Sequence, residues 1–439
     1  MTRRGGSGFF DIRRAELPFA LLMFAYFFLV ITSFWILKPI KKSLFIRHYD
    51  VTGFDLLGWT MTAAQAELLA KVLNMVVAFL AVVVFTWLVR RFRRQQLTFI
   101  FSGFFLVSYA LYSLIIHEPA GATVWSFYLF GDLFSTLMVA TFFAFLNDSV
   151  EPDGAKRLYG LIGLGGVAGG VFGTTIVRTL IEAFSNAHWL WVAFGLGLLI
   201  IAVAYAAGQL VDDRPRPAPA SSEPAKQVRG NPALEGAQLV FRSRYLLAIV
   251  AIVGIYEIVS TILDFQFTST IAHYLDGPEI GKQFSTVFAI TNVVALIVQL
   301  FLTSFVMTRL GVGVALLVLP AVILGGSLGF LIFPILWMGS LLNTADNGFS
   351  YSINQSAKES LYVPTTEEEK YKAKAFIDMF VQRFAKALAV AVSLGITAAF
   401  SDFSSIPWLS AVTLPLIVVW IFAARYAGRE FERLGGKES

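Results

Sequence analysis

Long apolar segments separated by short polar ones fill most of this 439-residue chain. About 20 consecutive apolar residues span the hydrocarbon core of a bilayer, where the backbone must satisfy its own hydrogen bonds. The segments show no period-2 alternation, so the pattern favours helices over the strands of a barrel. We predict twelve spans, near residues 17–37, 64–89, 97–117, 123–146, 158–183, 188–211, 245–267, 284–308, 311–335, 336–357, 375–400 and 406–426.

The composition supports an all-α integral membrane protein. Hydrophobic residues make up 57% of the chain and charged residues 14%, against about 25% charged in soluble domains. The chain has no cysteine, which excludes disulfides and thiolate metal sites, and its four histidines lie far apart near span ends. We therefore predict no metal site and no cofactor.

The basic residues indicate how the spans are oriented. Lysine and arginine concentrate in alternate loops, at 3–14, 90–94, 156–157, 214–229 and 425–437, while the intervening loops carry few. Positive loops stay on the cytoplasmic side, so both termini are predicted to be cytoplasmic in a bacterial inner (plasma) membrane. We interpret the net charge of +5 as this topology signal and expect no nucleic-acid partner.

A proline-rich polar stretch divides the chain into two groups of six spans. We predict an N-terminal half at 1–211, an extended cytoplasmic linker at 212–236 and a C-terminal half at 237–439 with a basic tail. Six plus six spans suggest a major-facilitator-like architecture with substrate held near the midplane between the halves.

Charged residues inside the spans are the candidates for function. A charge at the centre of a membrane helix costs about 2.5–3.5 kcal/mol on insertion scales, so it usually marks a substrate or ion path. Otherwise apolar segments are interrupted by Asp132, Glu257, Asp264, Arg383 and Lys386.

Two pairs among these residues share a helix face. Glu257 and Asp264 lie two turns apart, and Arg383 and Lys386 lie one turn apart on another span. They suit an interdomain ion-pair gate, a substrate clamp, both, or static pairing. Glu67, four residues before Lys71, suits a structural pair on one helix.

Three lysines crowd the predicted end of the first span. Lys38, Lys41 and Lys42 would lie on the outer side, against the positive-inside bias, which favours an entrance that attracts anions over simple snorkelling.

Other motifs have plainer interpretations. Gly163-Leu-Gly-Gly-Val-Ala168 fits a dinucleotide fingerprint formally, but it lies within a span, where glycines four apart indicate close helix packing. The chain has no phosphate-binding loop and no hydrolase motif, so it is predicted to be a secondary transporter and not an enzyme.

Four segments resemble the nucleotide transporter family, the ATP/ADP translocases of plastids and of obligate intracellular bacteria. They are Leu-Lys-Pro-Ile-Lys-Lys-Ser-Leu at 37–44, Ala-Lys-Arg-Leu-Tyr at 155–159, Ser-Ala-Lys-Glu-Ser-Leu-Tyr-Val-Pro at 356–364 and Lys-Tyr-Lys-Ala-Lys-Ala-Phe-Ile-Asp at 370–378. The resemblance implies a twelve-helix exchanger that swaps nucleotides across a membrane without hydrolysing them.

The resemblance also assigns roles to residues. Lys41, Lys358, Arg383 and Lys386 fall on the family's cations, and Asp264 falls on a glutamate of its seventh span. The chain departs from the family at Lys38, where the family has arginine, at Lys42, where it has an acid, and at Gln355-Ser356, where it has Asp-Pro. Asp132 lies about one position from the family's span-four glutamate.

We therefore predict a monomeric carrier for a nucleotide or another phosphorylated anion, with the lipid bilayer as its surroundings. The predicted substrate-binding residues are Lys41, Lys358, Arg383, Lys386 and Lys38 for phosphates and Tyr159 and Tyr362 for the base; the predicted gating or coupling residues are Asp264, Glu257 and Asp132. Two alternatives stay open: a proton-coupled transporter of another organic solute, and a membrane scaffold that transports nothing.

Overall fold

A computed structural model describes residue 13 and residues 16–150, 152–212, 232–366, 369–399 and 403–435. The first helices are α1 (Leu17–Tyr49), α2 (Ala63–Val89), α3 (Arg94–Ile115), α4 (Gly121–Ser149), α5 (Pro152–Leu180) and α6 (Asn186–Asp212), with strands β1 (Phe54–Leu56) and β2 (Trp59–Met61) between α1 and α2. The later helices are α7 (Pro232–Arg242), α8 (Arg244–Tyr274), α9 (Pro278–Ile297), α10 (Ser304–Arg309), α11 (Gly311–Ile332), α12 (Leu336–Phe349), α13 (Gln355–Ser360), α14 (Lys374–Phe376), α15 (Gln382–Ala399) and α16 (Trp408–Gly435).

Ten helical segments of the described chain are long and apolar enough to cross a membrane. They correspond to all the predicted spans except the tenth and eleventh, which are helical but more polar and are interrupted. The prediction of an all-α integral membrane protein is confirmed.

Short π-helical segments interrupt the polar helices. They lie at Ser350–Asn354 between α12 and α13, at Glu369–Ala373 before α14, and at Ile377–Val381 between α14 and α15, and a further one at Val298–Thr303 joins α9 to α10. A π turn accommodates one extra residue within each hydrogen-bonded turn and is frequent at functional sites. Residues of two of these segments, Ser350–Asn354 and Ile377–Val381, line a cavity in the second unit.

The chain separates into two compact units. The first comprises Met1–His48, Leu73–Ser221 and Gly277–Ala289, and the second comprises Tyr49–Val72, Ser222–Asp276 and Ile290–Ser439. Residues 49–72 thus belong to the second unit and 277–289 to the first, although each segment lies in the other predicted half. Most of the predicted linker, 213–231, lies outside the described residues, and its last residues already belong to α7.

Helix α1 is longer than the sequence pattern predicts. It continues through Pro39 and past Lys38, Lys41 and Lys42 to Tyr49, so the three lysines lie inside the helix and not at its end. Proline lacks an N–H and normally ends or kinks a helix, but here the chain continues. The lysines therefore project from a membrane helix among its neighbours.

Close packing in the first unit depends on the glycines of α5. A Cβ added at Gly165 or Gly169 would collide with the backbone carbonyl oxygens of Phe24 or Phe28 on α1. The Thr32 hydroxyl of α1 donates to the Gly169 carbonyl at 3.3 Å. The interpretation of these glycines as helix-packing residues is confirmed.

Helix α8 lies in the core of the second unit, where α12, α15 and α16 pack against it. Ser243 caps its first turn by accepting a hydrogen bond from the Leu246 N–H. The Gln266 side-chain amide donates to the Ile406 carbonyl and to the Ser410 hydroxyl, which fixes α8 against the start of α16. Because these contacts fix α8 in place, they also fix the positions of its acidic residues.

Candidate functional site

The first group of predicted site residues lies on α1 and α4. The Lys41 ammonium forms an ion pair with Asp132 and lies 4.3 Å from the centre of the Tyr128 ring. Lys41 is 5% exposed, so this cation is largely removed from water. Gly131 makes room for it, since a Cβ there would lie 2.6 Å from Lys41 Cδ. The arrangement places a buried ammonium group beside a carboxylate and an aromatic ring.

Aromatic rings surround the other two lysines of α1. Lys38 lies 4.4 Å from the centre of the Trp35 ring and 4.9 Å from that of Phe288, and Lys42 lies 5.2 Å from that of Phe284. Ammonium groups are attracted to ring faces by about 0.5–2 kcal/mol, less than by a phosphate through a charge-assisted bond. Such contacts place the ammonium groups of both lysines against aromatic ring faces.

The second group surrounds a cavity of about 390 Å³ in the second unit. Its lining comes from α8, α13, α15 and the two π segments at Ser350–Asn354 and Ile377–Val381. Three tyrosines, two glutamines and Ser350 line it, together with the acids Glu257, Glu359 and Asp378 and one cation, Lys358. The cavity therefore offers stacking surfaces and amides as well as charge.

Lys358 is the predicted phosphate ligand that faces this cavity most directly. Its ammonium lies 5.3 Å from the centre of the Tyr256 ring, and it makes no ion pair with any described residue. The adjacent Glu359 is paired with Lys374 instead. Tyr362, predicted to stack on a base, also lines the cavity, and its turn is fixed by the Tyr245 hydroxyl, which donates to the Leu361 carbonyl at 2.7 Å.

The charged faces of α8 and α15 meet at one point. Lys386 Nζ lies 3.4 Å from Glu257 Oε2, and Glu257 lines the cavity while Lys386 and Arg383 do not. Both partners belong to the second unit, so this pair is not the interdomain gate that the sequence suggested. It remains available as a substrate clamp or a static pair.

Asp264 has a different partner from the one its helix face suggested. It forms an ion pair with Lys71 of α2, and Lys71 also lies 3.0 Å from Glu67, the predicted i,i+4 pair. The Asn343 amide donates to Asp264 Oδ1 at 3.4 Å. One lysine thus holds two carboxylates, a contact between α2 and α8 that no local pattern reveals.

Tyr159 lies apart from both groups. It belongs to the beginning of α5, is 36% exposed and donates a hydrogen bond to the Asn147 side-chain oxygen of α4. The structure therefore brings together Lys41 with Asp132, and Lys358 with Tyr362 and Glu257, but not Tyr159 with the lysines of α1.

A smaller cavity of about 210 Å³ occurs elsewhere in the second unit. Its lining includes Asp50, Gln65, Ser269 and His273. Burial, and secondarily the charge of Asp276, raises the pKa of Asp50 above its ordinary value. Sequence reasoning did not identify this cavity, because its polar residues come from segments far apart in the chain.

The long apolar helices are those of a polytopic membrane protein. A family model described as Major Facilitator Superfamily matches residues 20–365, and the chain belongs to that family. A second model, described as TLC ATP/ADP transporter, matches residues 331–431, which include Lys358, Arg383 and Lys386. The predicted resemblance to ATP/ADP translocases is confirmed.

The relatives that the chain matches are carrier proteins, and their sequence identity to it is low. ADP,ATP carrier protein 2 of Chlamydia trachomatis is 24% identical over 96% of this chain and 90% of its own length. The chloroplastic ADP,ATP carrier protein 1 of Arabidopsis thaliana is 24% identical over 72% of this chain, which spans 56% of the plant protein. The relatives are carriers, which confirms the prediction that the chain is a transporter and not an enzyme.

Solved structures share the fold. The crystal structure of a mutant of the nucleoside transporter NupG aligns with a TM-score of 0.62 over 93% of this chain and 99% of its own, at 14% identity. A bacterial homologue of the human lysosomal transporter Spinster aligns with a TM-score of 0.60 over 97% of this chain and 99% of its own, at 12% identity. At such identities the likeness concerns the fold alone.

Proposed function

We propose that this protein exchanges nucleotides, ATP and ADP or related phosphorylated anions, across a membrane by alternating access. The observation that carries the proposal is Lys358, a cation that lines a cavity with tyrosines and amides and makes no ion pair with any described residue. The names of the relatives support the same substrate class. We further infer a monomeric carrier in a bacterial inner membrane with cytoplasmic termini.

The chemistry of the lining suits the two ends of a nucleotide. A charge-assisted hydrogen bond from a lysine to a phosphate contributes about 1.5–3 kcal/mol, and Lys358 is available for one. The rings of Tyr256, Tyr351 and Tyr362 offer stacking surfaces for a base, and Gln355 and Gln382 offer donors and acceptors for its edge.

The ion pairs support exchange over free return of the empty carrier. In this conformation Lys41 is held by Asp132, Lys386 by Glu257 and Lys71 by Asp264. A phosphate that enters competes for these cations, so the loaded carrier has different internal pairing from the empty one. If the carrier reorients at low cost only when substrate is bound, each molecule that it carries inward must be exchanged for one that it carries outward.

A proton-coupled carrier of another organic solute is the second candidate. The partly buried acids Asp264 and Glu257 favour it, because coupling needs a carboxylate that takes up and loses a proton. Both acids are already paired with a lysine, which weighs against this candidate. Exchange without a gradient is therefore the preferred function.

A thermal-shift titration tests ligand class first. ATP, ADP, NAD, adenosine and inorganic phosphate are added to the purified protein, and a true ligand raises stability by about 2.7 kcal/mol at 100 times its Kd. We expect ATP and ADP to stabilise the wild type, and Lys358→Ala to lose this shift. Lys282→Ala, which removes an exposed lysine paired with Glu182, is the matched control and should keep it. Stabilisation by none of the phosphorylated compounds would contradict the proposal.

A further inference from the structure

Asp346 is a carboxylic acid in the interior of the second unit for which the proposed exchange cycle has no use. It lies on α12, and its side chain is 0% exposed. The Ser260 hydroxyl of α8 donates to Oδ2 at 2.6 Å. The other oxygen, Oδ1, is buried and has no hydrogen-bond partner among the described residues. No described lysine, arginine or histidine pairs with Asp346.

The surroundings of Asp346 are negative or neutral. Glu257 and Asp264 of α8 are the carboxylates that act on it, and each already has a cation of its own, Lys386 and Lys71. Two phenols on the packed elements also interact electrostatically with Asp346, Tyr256 of α8 and Tyr351 of the π segment. The sequence of α11, which also packs on α12, contains no ionisable residue. An ionised Asp346 would therefore be a buried charge facing charges of the same sign.

One turn earlier on the same helix, the side-chain oxygen of Asn343 receives no hydrogen bond from any described residue. Asn343 donates its amide to Asp264, and its buried Oδ1 has no hydrogen-bond partner among the described residues. Asn343 and Asp346 are three residues apart, so they share a face of α12. A protonated Asp346 supplies an O–H to this face, where an ionised one adds only a further acceptor.

We propose that Asp346 is a proton-binding site of the carrier, occupied in this conformation and required for transport. A buried carboxyl without a cation neutralises by taking up a proton, because water no longer stabilises its charge. A metal cation fits less well, since hard cations need six or more oxygen ligands and the described part of this face offers two unpartnered ones. The proton travels with the loaded carrier in both directions, so exchange depends on pH but needs no pH gradient.

Infrared spectroscopy of the purified protein tests occupancy without any substrate. We expect a C=O stretch of a protonated carboxyl at neutral pH, shifted in deuterium oxide, in the difference between wild type and Asp346→Asn. Glu182→Gln, which changes an exposed carboxylate paired with Lys282, should leave the band unchanged. A wild-type spectrum that contains only carboxylate bands at neutral pH would overturn the proposal.

The pH profile of exchange tests the functional role and rests on the proposed nucleotide exchange. With equal pH on both sides of a proteoliposome, wild-type exchange should fall at least tenfold as the pH rises and Asp346 ionises. Asp346→Asn, which stays neutral, should give a flat profile. A wild-type slope in Asp346→Asn, or exchange that requires sodium, would overturn the proposal.

A second variant tests the site even if Asp346→Asn does not fold. Ser260→Ala removes the hydroxyl donor that favours the ionised form of Asp346, so the midpoint of the pH profile should move to higher pH. An unchanged or lowered midpoint would count against the site. If no nucleotide exchanges at any pH, the proposed function fails, while the infrared result still decides the proton site.

Discussion

Single side chains carry the main claim about binding. Lys358→Ala should lower uptake of labelled nucleotide into proteoliposomes at least tenfold, a loss of about 1.4 kcal/mol, because it removes a cation of the cavity lining that no described residue pairs. Arg383→Ala and Lys386→Ala should each have an effect of the same size. The exposed Lys282→Ala is the control for loss of a positive charge. Wild-type uptake in the three variants of the second unit would contradict the assignment.

The acid at Asp264 separates structural pairing from proton coupling. Asp264→Asn leaves Lys71 with Glu67 alone, so exchange should become slower by a similar factor at every pH, with the wild-type shape of the pH profile retained. The rates of exchange at several symmetric pH values provide the measurement. The double variant Lys71→Gln with Asp264→Asn also takes the cation away from the buried Glu67, so it should be less stable to heat than Asp264→Asn alone. A profile that becomes flat in Asp264→Asn would instead assign the titration to Asp264.

The sequence predicts local pairs well and distant ones poorly. Glu67 and Lys71 are predictable because helical spacing alone brings them together. The contact between Lys71 and Asp264 depends on how α2 packs against α8, and the two residues are 193 positions apart. Asp346 lies inside the predicted tenth span, 336–357, but it was missed as a candidate because the polar run from Asn343 to Asn347 surrounds it; its complete burial in the structure distinguishes it.

Close contact between α1 and α5 gives a prediction about helices. Gly165→Ala places a methyl group against the Phe24 carbonyl and should destabilise the protein by about 1–3 kcal/mol, seen as a lower melting temperature in detergent. Gly163→Ala is the matched control on the same helix, because a Cβ there meets nothing within 4 Å. Its melting temperature should stay the same or rise slightly, since alanine favours a helix. Equal losses in both variants would contradict close packing at Gly165.

Hydropathy predicts that a helix is present, but it does not predict where the helix ends or where it is interrupted. The predicted end of the first span at residue 37 was wrong because Pro39 and the lysines lower local hydropathy, although α1 continues to Tyr49. The π segments beside the cavity were not predicted either. They satisfy the same backbone bonds with one residue more per turn, so no periodic pattern reveals them.

The topology of the entire chain remains a prediction from its basic loops. Tags at both termini and at Pro217 should react only from the cytoplasmic side, and a tag at Glu118 should react from outside, because positive loops are retained inside. Accessibility to an impermeant reagent, before and after permeabilisation, provides the measurement. An external Pro217 tag would contradict the scheme of two six-span halves at 1–211 and 237–439.

The central claim is exchange of nucleotides, and counterflow in proteoliposomes tests it most directly. Vesicles loaded with ADP, and matched vesicles with buffer alone, receive labelled ATP outside, with and without an uncoupler. We predict rapid uptake only into the ADP-loaded vesicles, unchanged when the proton gradient collapses at constant internal pH. Uptake that proceeds equally into empty vesicles, or accumulation that the uncoupler abolishes, would contradict nucleotide exchange.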